Sequence, residues 1–320
     1  MTSPNHKRAI EQLEREAADA KPLYDKPLTQ WRLTLRRFRQ RRSGMIGLGI
    51  ISFLILVAIF APILAPYEPN EILIGKEDVG RYDPPCIHLL GCPEETPQHI
   101  LGLDGNVRDE LSRIIFGSRV SLTLGFFTVT LALVVGATIG AIAGFTGGWL
   151  DNILMRAMDV ILGFPSFLLA IAIVASIGRG LQNALIAIAI VTMPGYARVM
   201  RAQVLATKES DFVAASRALG ARPSQILIRR VVPNAMTPLV VLATLGVATA
   251  ILEAAGLSFL GLGAQPPLAE WGSMLASERN QVFTAPHLVF FPGLAIMITV
   301  LGFNLMGDGL RDALDPTLNR

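Results

Sequence analysis

The stretch Val120-Ser-Leu-Thr-Leu-Gly-Phe-Phe-Thr-Val-Thr-Leu-Ala-Leu-Val-Val-Gly-Ala-Thr-Ile-Gly-Ala-Ile-Ala-Gly-Phe-Thr-Gly-Gly-Trp-Leu150 runs for 31 residues without an Asp, Glu, Lys or Arg. A helix needs ~20 apolar residues to cross a ~30 Å hydrocarbon core. Strands of a membrane β-barrel alternate in polarity and never give so long a run. Five further charge-free runs follow the same pattern: Gly44–Ala65, Val160–Gly178, Gly180–Ala197, Val231–Leu252 and Leu288–Gly307. The composition agrees, with 52% hydrophobic and 17% charged residues and a mean hydropathy of +0.49. Soluble domains carry about 25% charged residues, and disordered chains need low hydrophobicity. The expected fold class is an all-α polytopic membrane protein with six transmembrane helices. The uncharged stretch Ala254–Ala269 contains Pro266 and Pro267, and reads as the end of span five plus an outer loop or re-entrant segment.

Basic residues next to the spans set the orientation. Arg32, Arg36, Arg37, Arg39, Arg41 and Arg42 precede span one with no acid among them, which places the N-terminus in the cytoplasm. Residues 67–117, with ten acids and four bases, then lie outside. Residues 198–230, with seven bases and two acids, lie inside, and residues 258–287 lie outside. Six spans return the C-terminus to the cytoplasm. The expected division is therefore a cytoplasmic tail with a basic juxtamembrane segment (1–43), a first transmembrane helix (44–66) and an extracytoplasmic loop (67–117). A core of five spans (118–307) and a cytoplasmic tail (308–320) complete it. No cleavable signal peptide is read, because the first apolar run is too long for a signal segment. The charged stretch 6–20 reads as a helix or a solvated tail. The Arg run reads as a topology signal or a contact for anionic headgroups.

Several chemistries are excluded. No lysine is followed by Ser or Thr, so no Walker A loop exists and this chain cannot hydrolyse ATP through one. There is no H-E-x-x-H and no G-x-S-x-G. The four histidines, His6, His88, His99 and His287, all lie outside the apolar runs. No catalytic residue and no metal site are expected, and nucleic acid is not an expected partner. Glu253, near the outer end of span five, is the one acid that could serve ion coupling. It reads as a residue at the water boundary, as one paired with a partner subunit, or as a group on a translocation path or outer gate. Cys86 and Cys92 share the 67–117 loop; an extracytoplasmic location would let them form a disulfide.

The longest basic loop, 208–233, has its own pattern. Asp211–Leu219 reads as a helix, with Asp211 as N-cap and Gly220 as stop. Gln225–Val232 reads as a second short helix, and Pro233-Asn234 leads into span five. Ala214, Ala215, Ser216 and Ala218 would let another protein approach closely.

This loop resembles the EAA loop of ABC-importer permeases, E-A-A-x-x-x-G followed by a proline thirteen residues after the glycine. Ala215, Gly220 and Pro233 match, while Ala214 replaces the leading Glu and Ser216 the third residue. Other segments resemble the dipeptide/oligopeptide/nickel permease group. They are His99-Ile-Leu-Gly-Leu-Asp104 with Arg108-Asp109 and Ser112-Arg113, Phe145-Thr-Gly-Gly-Trp-Leu-Asp151 and Pro194-Gly-Tyr-Ala-Arg198. Leu257-Ser-Phe-Leu-Gly-Leu-Gly263, Trp271-Gly-Ser-Met-Leu275 and the tail Asn304–Pro316 complete the set. Ile100, Leu103 and Val107 depart from the group's Pro, Thr and Gly.

The resemblance implies a "C" permease of type I importer fold in the cell (inner or plasma) membrane. Its implied partners are a second homologous permease, two ATP-binding subunits that use ATP and Mg, an extracytoplasmic solute-binding protein and the lipid bilayer. No cofactor is bound by this chain. Asp211–Arg222 is then the coupling helix and its exit, involving Asp211, Phe212, Ala214, Ala215, Ser216, Gly220 and Arg222, with Pro233 setting the return to the membrane. Arg229 and Arg230 read as ATPase or lipid contacts or as inside-positive anchors. Residues 67–117 and 261–286 would meet the binding protein, with Cys86–Cys92 stiffening the first. Di- and oligopeptides are the expected solutes; nickel complexes, glutathione, sugars and opines are alternatives within the group. A stand-alone carrier or channel, and a non-transport scaffold, are the other classes. A disulfide predicts that peptides holding Cys86 and Cys92 weigh two hydrogens less without reductant; equal thiol labelling before and after reduction would contradict it.

Overall fold

The computed structural model describes residues 30–314, so the expected helix within 6–20 and the end of the 308–320 tail lie outside the described residues. The described residues are nearly all helical, with no strand among them. The helices are α1 (Gln30–Gln40), α2 (Arg42–Ile59), α3 (Ala61–Leu64) and α4 (Glu110–Thr146). Then come α5 (Gly148–Leu162), α6 (Ser166–Ile177), α7 (Leu181–Lys208) and α8 (Asp211–Ala218). The chain ends with α9 (Pro223–Ile226), α10 (Val232–Ala235), α11 (Thr237–Phe259), α12 (Trp271–Glu278) and α13 (His287–Leu314). Five of them, α2, α4, α7, α11 and α13, are long and apolar enough to cross a membrane.

The sixth expected span takes a different form. The run Val160–Gly178 is divided between α5 and α6, which meet at 91° around Gly163-Phe164-Pro165. Pro165 has no N–H to donate and disfavours helix in the residue before it, so the chain turns there. α6 has 12 residues and spans only about 18 Å by itself. Taken as one bent span, the α5–α6 pair completes six crossings. The long run 120–150 also divides, because α4 ends at Thr146 and Gly147 and Gly148 take φ of +68° and +61°. α4 begins at Glu110, so the last residues of the expected 67–117 loop are already helix. Its 37 residues span about 55 Å, more than the hydrocarbon core, which lets its charged first turns stand clear of lipid.

Close backbone contact organises the core. Glycines 136, 140 and 144 line one stripe of α4 against α7. A Cβ on Gly136 would lie 2.5 Å from the Met193 carbonyl oxygen, and one on Gly144 2.8 Å from that of Arg201. A Cβ on Gly140 would overlap the Ala197 carbonyl oxygen. The partners ascend together, so α4 and α7 run parallel, and the α5–α6 pair supplies the return crossing. α2 and α13 run antiparallel, with Gly44 against Gly309 and Gly47 against Met306. Small residues allow this approach, and packing in lipid depends on it because hydrocarbon supplies no hydrophobic drive between helices. Around the seam, Leu124, Val129, Val174, Ile188, Ile251 and Leu257 belong to one buried cluster drawn from α4, α6, α7 and α11.

The antiparallel order puts the start of α2, the α8–α10 loop and the end of α13 at one end of the bundle, here the loop end. Residues 65–109 and 260–286 form the other, the cap end. Gly140→Ala should lower the thermal midpoint of the purified protein, since overpacking costs about 1–3 kcal/mol. Gly195→Ala, where a Cβ meets nothing within 4 Å, should leave it unchanged or raise it.

Candidate functional site

The loop end presents a helical elbow fastened to the membrane helices. α8 begins after Ser210, which takes the extended N-cap conformation; the expected cap, Asp211, is the first helical residue. Its far end closes as a Schellman turn: Gly220 N donates to Arg217 O at 3.0 Å and Ala221 N to Ser216 O at 3.1 Å. Gly220 sits at φ +80°, where a side chain is strained. Ser216 Oγ donates to Phe212 O at 2.7 Å. Arg222 N donates to Gln225 Oε1 at 3.4 Å as α9 starts. The expected single helix Gln225–Val232 is instead α9, a π turn over Leu227–Val231, and α10. Pro233 lacks the N–H that would close a regular turn onto Arg229, and the widened turn accommodates that loss. Asn234 Nδ2 donates to Arg230 O at 2.6 Å.

One side of this elbow is buried. Val213, Ile226, Val231 and Ala235 join Ala141 of α4, Met200 and Val204 of α7 and Leu239 of α11 in one cluster. The other side is bare: Asp211, Phe212, Ala214, Ala215, Gly220 and Arg222 are exposed, Leu219 is 89% exposed, and Ser216 is half-buried. The elbow therefore presents Phe212 and Leu219 outward among charged neighbours, while its inner side touches three membrane helices. Ionic contacts tie α5 beside it: Arg201 Nε and Nη2 donate to Asp151 at 2.5 and 2.7 Å, and Arg198 to Asp159 at 2.7 Å. Lys208 Nζ donates to Gly144 O at 3.0 Å, satisfying a carbonyl near the end of α4.

The cap end holds a buried polar network at its base. Asp109 caps α4, accepting from Ser112 N at 2.8 Å and Ser112 Oγ at 2.7 Å. Asp104 holds Arg108 at 2.6 Å and lies 3.5 Å from Arg113, whose Nη1 donates to Pro69 O at 2.8 Å. His99 places Nδ1 3.0 Å from Asp109 and Nε2 3.1 Å from Glu77. Ionised carboxylates only accept, so this pair of contacts favours the doubly protonated ring, which donates from both nitrogens. Burial opposes that charge, but the carboxylates of Asp109 and Glu77 outweigh it and hold the His99 pKa above its ordinary value. Glu270 caps α12, accepting from Gly272 N at 2.9 Å and Ser273 N at 2.8 Å. Burial pushes its carboxyl above the usual range, against the pull of those two N–H groups. Trp271 Nε1 donates to Ile114 O at 3.1 Å, tying α12 to α4. The sequence motifs containing His99, Asp109 and Trp271 marked these positions, but their mutual contacts were not readable from spacing.

Cys86 and Cys92 are bonded as a disulfide, with Cα atoms 5.5 Å apart, in an exposed loop at this end. Glu253 lies in α11, half-buried, and its Oε2 is shut from solvent without a hydrogen-bond partner. The structure does not bring Glu253, the disulfide and the elbow together; they belong to the span, the cap and the loop end. No group of three or more His, Cys, Asp or Glu among the described residues could hold a metal ion.

The His99 contacts carry a pH dependence. Because the folded pKa is raised, their stabilisation is complete below about pH 6.5 and is lost as pH rises through the folded value. Hydrogen exchange of residues 67–109 should therefore be slower in the native protein than in His99→Gln at pH 6, and the difference should shrink as the pH is raised. A difference that grows with pH would contradict this assignment.

Residues 136–320 match the family described as the binding-protein-dependent transport system inner membrane component. Residues 29–85 match the N-terminal TM domain of oligopeptide transport permease C. The chain is 46% identical to the dipeptide transport system permease protein DppC of Alkalihalophilus pseudofirmus over 291 residues, 91% of each chain. It is 43% identical to a glutathione transport system permease protein GsiD of Escherichia coli, covering 94% of this chain and 96% of that one. Among solved structures, a chain of the MetNI methionine ABC transporter aligns with a TM-score of 0.52 at 20% identity, covering 63% of this chain and 96% of that one. That likeness concerns the fold, the type I importer permease fold. By its family match and its identity to full-length relatives, this chain belongs to the inner-membrane permease components of binding-protein-dependent ABC importers.

Proposed function

We propose that this chain is one of two paired permeases forming the path by which an ATP-driven importer moves short peptides across the membrane. The observation that carries the coupling part is the elbow: a helix with Phe212 and the following Leu219 exposed, whose inner side is packed on α4, α7 and α11. A partner ATPase pressing on Phe212 and Leu219 would move those three helices together. Two ATP-binding subunits would supply hydrolysis with ATP and Mg, since this chain has no Walker A loop. A second permease would complete the path, and a solute-binding protein would dock on the cap.

On this reading the loop end faces the cytoplasm and the cap faces outward. The cap then lies in an oxidising setting that suits the Cys86–Cys92 disulfide. The relatives support peptides as the solute class, because one is named for dipeptides and the other for glutathione, itself a tripeptide. Glu253 is the proposed path or outer-gate group: its buried, unpartnered oxygen awaits a donor from outside this chain. Alternating access then follows from two states of the paired permeases with different affinities for ATP and solute.

Gly220→Pro tests the coupling. Proline holds φ near −65° and cannot occupy a position at +80°. The variant should reach the membrane and assemble with its partners, yet dipeptide uptake driven by ATP should fall to background. Uptake at the native rate by assembled Gly220→Pro importer would overturn the coupling role. Normal coupling with no uptake of any dipeptide or tripeptide would overturn the solute class alone.

A further inference from the structure

We propose that Arg119 is the head-group anchor of a bound anionic phospholipid whose two acyl chains lie in apolar grooves on either side of α4. The first groove, about 810 Å³, runs between α2 and α4 and includes Leu48, Ile55, Leu122, Phe126 and Phe303. The second, about 340 Å³, lies between α4 and the start of α7 and includes Leu124, Leu181 and Leu185. Arg119 and Thr123, one turn apart on α4, line both grooves and form the ridge between them. From Ile59 to Leu48 the first groove follows α2 for about 16 Å at 1.5 Å per residue, a length suited to an extended acyl chain.

The local bonding of Arg119 leaves a charge over. Pro62 has no N–H, so the Ala58 carbonyl cannot be met four residues on. Ile63 N donates to Phe60 O at 2.9 Å, so the Ile59 carbonyl lacks its helical partner as well. Arg119 satisfies both, with Nε 2.5 Å from Ala58 O and Nη2 3.0 Å from Ile59 O, and its guanidinium sits 5.8 Å from the Phe116 ring centre. These contacts are neutral. Among the described residues no carboxylate pairs with Arg119, and the side chain is exposed where the apolar run of α4 begins. A guanidinium has five donors in a fork that suits a phosphodiester. One cation on a ridge between two apolar grooves at the membrane boundary matches the charge and the two chains of an anionic phospholipid. Under the orientation proposed above, Arg119 also stands on the side where inside-positive selection does not operate.

The test uses the protein purified gently with whatever subunits accompany it. It is reconstituted in bilayers of phosphatidylcholine with a minority of phosphatidylglycerol, returned to detergent and examined by native mass spectrometry. The native protein should retain phosphatidylglycerol in preference to phosphatidylcholine, and inorganic phosphate should not displace it. Arg119→Gln should lower retention roughly fivefold. Thr123→Trp, which leaves the arginine and the α2 carbonyls in place and crowds both grooves, should lower it as well. Unchanged retention in both variants would overturn the proposal. So would a photo-crosslinker at Leu122 that captures another subunit rather than lipid, or displacement of the bound species by free phosphate.

Discussion

Backbone-to-backbone contact between α4 and α7 is the constraint on which the rest of the molecule depends. Glycines 136, 140 and 144 bring α4 against the carbonyls of Met193, Ala197 and Arg201. Inside a membrane, such contact replaces the hydrophobic drive that holds soluble helices together. It also fixes α4 and α7 as a parallel pair. The bent α5–α6 segment must therefore carry the chain back between them, and Asp151 and Asp159 fasten α5 to Arg201 and Arg198 on the same α7.

The two ends of the bundle solve different polar problems. At the cap, the first turn of α4 leaves N–H groups without helical partners, and Asp109 meets that of Ser112 while also holding His99. Glu270 does the same for α12, and Trp271 joins the two helices. At the loop end, Lys208 meets the Gly144 carbonyl and a Schellman turn closes α8. The cap thus holds an ion-paired network whose central side chains are buried. The elbow leaves Phe212 and Leu219 exposed while its inner side is packed.

The motifs quoted from the sequence divide along these lines. Trp271-Gly-Ser-Met-Leu275 is a packing device, because Gly272 lets α12 approach the Ala255 backbone and Trp271 fills the space beside Gly117. Phe145-Thr-Gly-Gly-Trp-Leu-Asp151 turns the chain at Gly147 and Gly148 and ends in the Asp151–Arg201 pair. Gly309 of the C-terminal motif allows contact with Gly44. The elbow motif and the Phe145–Asp151 turn both carry exposed apolar side chains, Leu219 and Trp149. Most of what marks the family in this chain is therefore the geometry of close packing and turns.

Charge-free runs determined by themselves that the chain is a helical membrane protein, because no other architecture buries 31 successive uncharged residues. The missing Walker A loop determined that this chain does not hydrolyse ATP through a P-loop, and the spacing from Ala215 through Gly220 to Pro233 located the elbow. Tertiary structure alone decided the 91° bend at Pro165, the π turn before Pro233, the ion pairs of His99 and the ridge at Arg119. Hydropathy along a chain reports how well each residue tolerates lipid. It carries no record of which carbonyl loses its partner or which carboxylate meets which cation, since those depend on atoms brought together from distant parts of the sequence.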